Sequence, residues 1–346
     1  MSWVYPGTEK GGVMNRFSWL ACVFLVLPVL AVGCEGMSDL EVTGETATAE
    51  AEMQPNETAR DFSGVLIHNG IRRTYLVHVG SACNAGTPAP LVIVLHGGGG
   101  TGAGMVKLTG FNTVADRERF IVVYPDGVDR HWNDGRGVEW YRAHTQDIDD
   151  VGFISALIDE LSGKLNIDSK RVYATGISNG GMMSYRLGCE LSQRIAAIAA
   201  VTASIAVNKA KEWSPSRPMP VMIIAGTADP LVPWDGGDIR FGGRIYGTVL
   251  SMPDTVKFWV EKNGCSTRPV VRRLPDSDPT DGTTVRREVY SGCKGGAEVV
   301  LYAVEGGGHT WAGGLQYLQE RIIGKTSREF GASEVIWQFF KQHSLD

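Results

Sequence analysis

The segment Gly176-Ile-Ser-Asn-Gly180 sets a serine between glycines, after an apolar run at Val172–Thr175 and before the helix-like Gly181-Met-Met-Ser-Tyr-Arg-Leu187. A serine on a sharp strand-to-helix turn needs small neighbours, because its backbone is strained, and the turn lifts its hydroxyl clear of a sheet. The helix N-terminus behind it favours developing negative charge. Ser178 is therefore read as a nucleophile, with the main-chain N–H of Asn179 available to the oxyanion of an acyl-transfer intermediate.

A serine hydroxyl is inert at neutral pH without a base to take its proton and an acid to orient that base. On an α/β-hydrolase fold these partners follow the serine, acid first and histidine last. Val221-Met-Ile-Ile-Ala-Gly-Thr-Ala-Asp229 is a buried strand opening into a loop, which puts Asp229 where the acid belongs. Asp235 and Asp238 are rivals, but they lie in the glycine-rich WDGGDIRFGG and suit turns or solvent better. Leu301-Tyr-Ala-Val-Glu-Gly-Gly-Gly-His309 is a second such strand and loop, and His309 is the base. The other histidines fit less well. His68 and His78 fall in early strands, His343 ends the last helix, and His131 and His144 flank an irregular loop.

The run VIVLHGGGGTG (92–102) has two readings. Gly97, Gly99 and Gly102 satisfy the G-x-G-x-x-G of a dinucleotide site, and Asp126 stands where a ribose-binding acid would. His96-Gly-Gly-Gly is also the glycine stretch with which esterases supply an oxyanion-hole amide, here from Gly98 or Gly99. Only the second reading also accounts for Ser178, Asp229 and His309. No cofactor or metal is called for.

From about Thr74 to Trp311 the chain resembles the polyhydroxybutyrate depolymerase-like and feruloyl esterase group of secreted α/β-hydrolase esterases. The marks are LHGGGG (95–100), YPDG (124–127), WNDG (132–135), DDVGF (149–153), GISNGGMMSY (176–185), AGTADPLVPW (225–234) and GGGHTWAGG (306–314). The resemblance implies Ser178, Asp229 and His309 as the triad and Asn179 with Gly98 or Gly99 as the oxyanion hole. It also implies Trp311 as a residue bordering the substrate cleft. Trp132, Trp140, Tyr141 and Trp234 are further aromatics suited to stacking on an aromatic acyl group or a sugar. Ala312 stands where the group often has proline, and nothing after His309 resembles the domain with which polymer-degrading members grip solid polyester. Soluble hydroxyalkanoate oligomers, or feruloyl and acetyl esters of plant polysaccharide, are thus expected ahead of crystalline polymer.

The elements that must position these residues alternate between β-branched runs and amphipathic segments, the pattern of a mostly parallel sheet flanked by helices. Strands are expected at 64–68, 74–79, 91–95, 120–124, 172–175, 197–201, 221–225 and 299–304. Helices are expected at 103–117, 149–165, 179–191, 252–263 and 332–343. With no repeat or second break in composition, residues 61–346 read as one catalytic domain of the α/β-hydrolase fold.

Residues 1–60 are different. They carry 8 acids and 3 bases, which leaves 30 of each in the remainder of a 346-residue chain of net charge −5. So balanced a domain gives no electrostatic case for nucleic acid. Phe17 to Gly33 is uncharged, follows Arg16, and ends in Leu30-Ala-Val-Gly-Cys34. Residues 1–34 therefore read as a signal peptide with a lipobox-like end, Cys34 being the candidate for lipidation and ordinary cleavage nearby the alternative. Residues 35–60 read as a flexible acidic linker. Export would permit disulfides. Cys265 and Cys293 flank the polar RRLPDSDPTDGTT stretch and are the first candidates to pair; Cys83 with Cys189 is a guess.

The expectation is an exported or lipid-anchored serine esterase that touches membrane only through that anchor. A serine peptidase or amidase on the same fold, or a non-catalytic lipoprotein that binds glycan or polyester fragments, are the alternatives.

Overall fold

The structure, a computed structural model, describes residues 61–84 and 86–346. The leader, the acidic linker and Cys34 lie outside the described residues.

Twelve strands are present among the described residues: β1 (Asp61–His68), β2 (Ile71–Val79), β3 (Ala89–Leu95), β4 (Ile121–Pro125), β5 (Ile167–Ile177), β6 (Ala197–Val201), β7 (Val221–Gly226), β8 (Gly237–Phe241), β9 (Arg244–Val249), β10 (Val270–Arg273), β11 (Thr284–Tyr290) and β12 (Val299–Glu305). The helices are α1 (Gly102–Thr109), α2 (Phe111–Glu118), α3 (Arg142–Thr145), α4 (Asp150–Lys164), α5 (Asn179–Glu190), α6 (Met252–Asn263), α7 (Glu320–Ile323) and α8 (Ala332–Phe340). Ten strands form one sheet in the order β1-β2-β4-β3-β5-β6-β7-β12-β11-β10. The run from β4 to β12 is parallel, and antiparallel strands extend it at both edges. This is the α/β-hydrolase architecture.

The central strands are apolar throughout because both faces of the sheet are covered. Leu91, Ile93 and Leu95 of β3 pack into one core with Phe153 and Leu157 of α4, Met182 and Tyr185 of α5, and Trp259 of α6. Val92 and Val94 face the other core, with Met105 of α1, Phe111 of α2 and Trp337 and Phe340 of α8. The period of two along the strand thus sorts neighbours into opposite layers.

The expected strands and helices are all present, but β10 and β11 at one edge of the sheet and the short helices α3 and α7 are not among those expected, and two further stretches differ. The single helix expected over 103–117 is broken at Gly110, whose φ of 63° caps α1 in the left-handed conformation before α2 begins. A separate hairpin, β8–β9, occupies a stretch read as turns. Its turn carries Gly242 and Gly243 at φ 56° and 77°, the backbone that a tight hairpin needs at both central residues.

A disulfide joins Cys265, just after α6, to Cys293, just after β11. Cys83 and Cys189 are free thiols, contrary to their guessed pairing.

Candidate active site

Parallel strands bring their carboxyl ends to one edge of the sheet, and the loops that follow them carry the candidate residues. Ser178 follows β5 and has φ 56° and ψ −122°, outside the ordinary regions for a residue with a side chain. A conformation of this kind costs on the order of 1–3 kcal/mol and persists only where the surroundings enforce it. Here they do. A Cβ on Gly176 would lie 2.6 Å from Leu95 O and from the Gly180 carbonyl carbon, and one on Gly180 would lie 2.3 Å from Leu95 O. The glycines of G-x-S-x-G are therefore the condition for the turn to pack against β3. Ser178 N–H donates to Val201 O at 2.9 Å, and its side chain makes no hydrogen bond among the described residues.

Asp229 and His309 come from neighbouring strands, β7 and β12. The Nδ1–H of His309 donates to Asp229 Oδ2 at 2.8 Å. Asp229 Oδ1 accepts from the backbone of Leu231 at 2.8 Å and of Val232 at 2.9 Å. Both residues are buried. With Nδ1 so engaged, Nε2 is the nitrogen left for a reacting group. The rival acids lie elsewhere: Asp235 is exposed, and Asp238 bonds Thr248 and Arg240 within its own hairpin.

The glycine run passes beside Ser178, since a Cβ on Gly97 would stand 3.5 Å from Ser178 Cβ. Gly99 and Gly98 now separate. Gly99 N–H is taken by Arg130 O at 2.9 Å, which corrects its candidacy for the oxyanion hole, whereas Gly98 N–H has no acceptor among the described residues. Asn179 opens α5, so its N–H has none within the helix. His96 holds the turn in place. It accepts from Gly127 N–H on Nε2 at 2.9 Å, which leaves the proton on Nδ1 for Gly97 O at 2.8 Å. Burial pushes its pKa down to about 4, so the ring is neutral.

Asp126, the acid that a dinucleotide reading needed, is committed to its own chain. Oδ1 accepts from Gly102 N–H at 2.8 Å and Oδ2 from Thr74 Oγ1 at 2.7 Å. The glycine run therefore leads into a helix whose first amide already has a carboxylate partner.

Two expected cleft residues lie in the interior instead. Trp311 is 1% exposed, donates from Nε1 to Ser333 Oγ at 3.1 Å and packs edge-on to Phe111. Trp132 is wholly buried, and its Nε1 donates to His96 O at 3.0 Å. Trp234 is half-buried against the core. His131 and Tyr141 also lie against the glycine turn, with ring centres 3.7 Å apart and the rings tilted by 30°. A Cβ on Gly98 would meet Tyr141 Oη at 3.1 Å and His131 Cδ2 at 3.3 Å. Burial pushes the Tyr141 phenol up to about 12, so it stays a neutral donor. Beyond it lie Tyr246, 5.9 Å from Tyr141 between ring centres, and the half-exposed Trp140, whose Nε1 donates to Ile245 O.

Comparison with known proteins gives the family of the chain. Residues 81–239 match the family described as Phospholipase/Carboxylesterase. The chain is 30% identical over 345 residues to the putative esterase NocK of Nocardia uniformis subsp. tsuyamanensis, covering 94% of this chain and 98% of that protein. It is 30% identical over 281 residues to feruloyl esterase B of Piromyces equi, covering 79% of this chain and 46% of that protein, and so spans about half of it. An acetyl xylan esterase from Aspergillus awamori shares the fold, with a TM-score of 0.50 at 15% identity over 72% of this chain and 94% of that one. With a relative matched over nearly its whole length, the chain belongs to the α/β-hydrolase esterases, the family that includes the feruloyl esterases, and is a carboxylic ester hydrolase.

Proposed function

We propose that ester hydrolysis runs through Ser178, His309 and Asp229 as a serine triad. The observation that carries this is the 2.8 Å bond from His309 Nδ1 to Asp229 Oδ2, on the same sheet edge as a serine held at positive φ. Ser178 Oγ attacks the ester carbonyl carbon while His309 Nε2 takes the hydroxyl proton. The carbonyl electrons move onto oxygen, and the N–H groups of Gly98 and Asn179 receive that charge. Collapse expels the alcohol, which leaves with the proton from His309. Water, deprotonated by His309, then releases the acid and restores Ser178.

An aromatic acyl group suits the paired rings of His131 and Tyr141 beside Gly98 better than a hydroxybutyrate unit does. That favours feruloyl-type esters over hydroxyalkanoate oligomers, in keeping with the feruloyl esterases among the relatives. Residues 61–346 act as the catalytic domain, and the protein is exported. The apolar leader and the disulfide Cys265–Cys293 support export, because such bonds persist in oxidising compartments. The lipobox-like end supports a lipid anchor on Cys34.

The test is kcat/KM on methyl ferulate and on a soluble 3-hydroxybutyrate trimer, with a fluorophosphonate to trap the reactive serine. Ser178→Ala should abolish both turnover and labelling; retained turnover in pure protein would sink the triad. An isosteric amide hydrolysed as fast as its ester would favour the amidase reading, and no turnover with any ester the binding-protein reading.

A further inference from the structure

A buried polar cluster lies behind the Ser178 turn, and its members share partners. Asp134 is fully buried. Asn179 Nδ2 donates to its Oδ2 at 2.6 Å, and Arg136 Nε does so at 2.9 Å. Arg136 N–H reaches Oδ1 at 3.1 Å, and His144 Nε2 lies 3.4 Å from that same oxygen. Val138 N–H donates to His144 Nδ1 at 2.7 Å, so the proton sits on Nε2, which also donates to Trp132 O at 2.9 Å. Burial alone would raise the Asp134 carboxyl, but the Arg136 guanidinium and the hydrogen bonds Arg136 donates outweigh it and keep the group below its ordinary value.

Asn179 meets this cluster with its whole side chain. Oδ1 accepts from Trp132 N–H at 2.8 Å, and Nδ2 donates to Trp132 O at 2.9 Å as well as to Asp134. Trp132 and Asp134 thus clasp the amide through three hydrogen bonds. Arg136 extends the clasp to the β8–β9 hairpin, where its Nη1 donates to Tyr246 O at 2.8 Å.

A buried ion pair is seldom the most stabilising way to fill an interior, since well-packed apolar side chains of similar volume often do as well or better. The location of this one suggests what it does. Asn179 follows Ser178, and its main-chain N–H, at the first position of α5, has no acceptor among the described residues. Its side chain is the handle by which the Ser178–Asn179 peptide can be held.

We propose that Asp134 is a positioning residue for the esterase reaction: by fixing the Asn179 side chain it aims the Asn179 N–H at the oxyanion and holds the Ser178 turn in its strained form. This rests on the reading of Ser178 as nucleophile. An oxyanion donor acts where charge develops and not on the resting substrate. Loosening the clasp should therefore lower kcat and leave KM nearly untouched.

Two variants approach the clasp from opposite ends. Asp134→Asn keeps the volume and removes the charge. Asn179→Ala removes the side chain, keeps the main-chain N–H, and places a good helix former at the start of α5. For each, a fluorophosphonate counts reactive serines, kcat per counted serine and KM are measured on methyl ferulate, and the Ki of phenylboronic acid reports binding of a tetrahedral adduct. The expected result is a fall in kcat of roughly 10- to 100-fold, KM within about threefold, and a boronate Ki raised in the same proportion as kcat falls. Combining the two substitutions should add little to either alone, because both cut one linkage. Full kcat per counted serine, with only fewer serines or a lower Tm, would make the cluster structural and overturn the proposal. If Asp134→Asn does not fold, Asn179→Ala decides alone by the same criteria. A wild-type enzyme that cannot be labelled at Ser178 overturns the triad and this proposal together, whereas normal labelling with unaffected variants overturns this proposal only.

Discussion

Asp229 and His309 are 80 residues apart in sequence and share a buried hydrogen bond of 2.8 Å. The bond exists because β7 and β12 are parallel neighbours whose ends meet through glycine. A Cβ on Gly226 would stand 2.2 Å from Gly307 O, so nothing larger lets the two loops close on each other. Within that contact Asp229 uses one oxygen for its own loop and the other for the imidazole. Asp229→Asn should preserve the fold and remove the acceptor that selects the Nδ1–H tautomer. We expect kcat on methyl ferulate to fall by roughly 10³- to 10⁴-fold with KM within a few-fold. A loss of less than tenfold would exclude Asp229 as the orienting acid.

Gly98 and Gly99 are adjacent, yet their alanine variants should fail in different ways. Gly98 faces Tyr141 and His131, where a methyl would sit 3.1 Å and 3.3 Å from their atoms. Gly98→Ala should cut kcat with little change in Tm. Gly99 has φ 76° and its N–H is bonded to Arg130. Gly99→Ala should cost about 1–2 kcal/mol of stability from the left-handed backbone, seen as a lower Tm with kcat per folded molecule nearly intact. The opposite pattern would return the oxyanion role to Gly99.

Of the aromatics that the sequence suggests for the substrate cleft, Tyr141 lies beside Gly98 and Trp311 does not reach it. Trp311 is a core residue bonded to Ser333. Trp311→Ala should cost about 3–5 kcal/mol and leave the preference between ferulate and acetate esters unchanged in whatever remains folded. Tyr141→Ala should weaken that preference by raising KM for the ferulate ester alone. Kinetics on paired methyl ferulate and methyl acetate, with thermal melts, separate the two.

These contrasts mark what the sequence carries and what it does not. Ser178, Asp229 and His309 stand out because each closes a short apolar strand with glycines, a signal contained in about ten neighbouring residues. The parallel sheet is legible for the same reason, as its strands are buried on both faces and read as unbroken apolar runs. Which tryptophans reach a cleft is decided by elements far away in the chain: Trp311 is covered by α2 and α8, and Trp132 by the His96 turn. The β8–β9 hairpin hides behind the glycines and charges that its turn and open faces require. The cluster of Asp134, Arg136, His144 and Asn179 joins two segments that no local pattern connects, although Trp132-Asn-Asp-Gly135 flags one half of it.

His96 makes the stability of the fold depend on pH in a defined direction. The ring is 1% exposed, bonded at both nitrogens, and depressed by burial from 6.5 to about 4. As pH falls below 6.5, His96 in the unfolded chain takes up a proton that the folded chain refuses until about pH 4. Its contribution is therefore complete above pH 6.5 and is lost progressively between 6.5 and 4, up to about 3 kcal/mol by proton linkage. His96→Gln, which can still accept from Gly127, should be less stable at neutral pH and have a flatter profile of Tm against pH across that window. Parallel profiles for wild type and variant would show that His96 does not titrate on unfolding and that the acid sensitivity of the fold arises elsewhere.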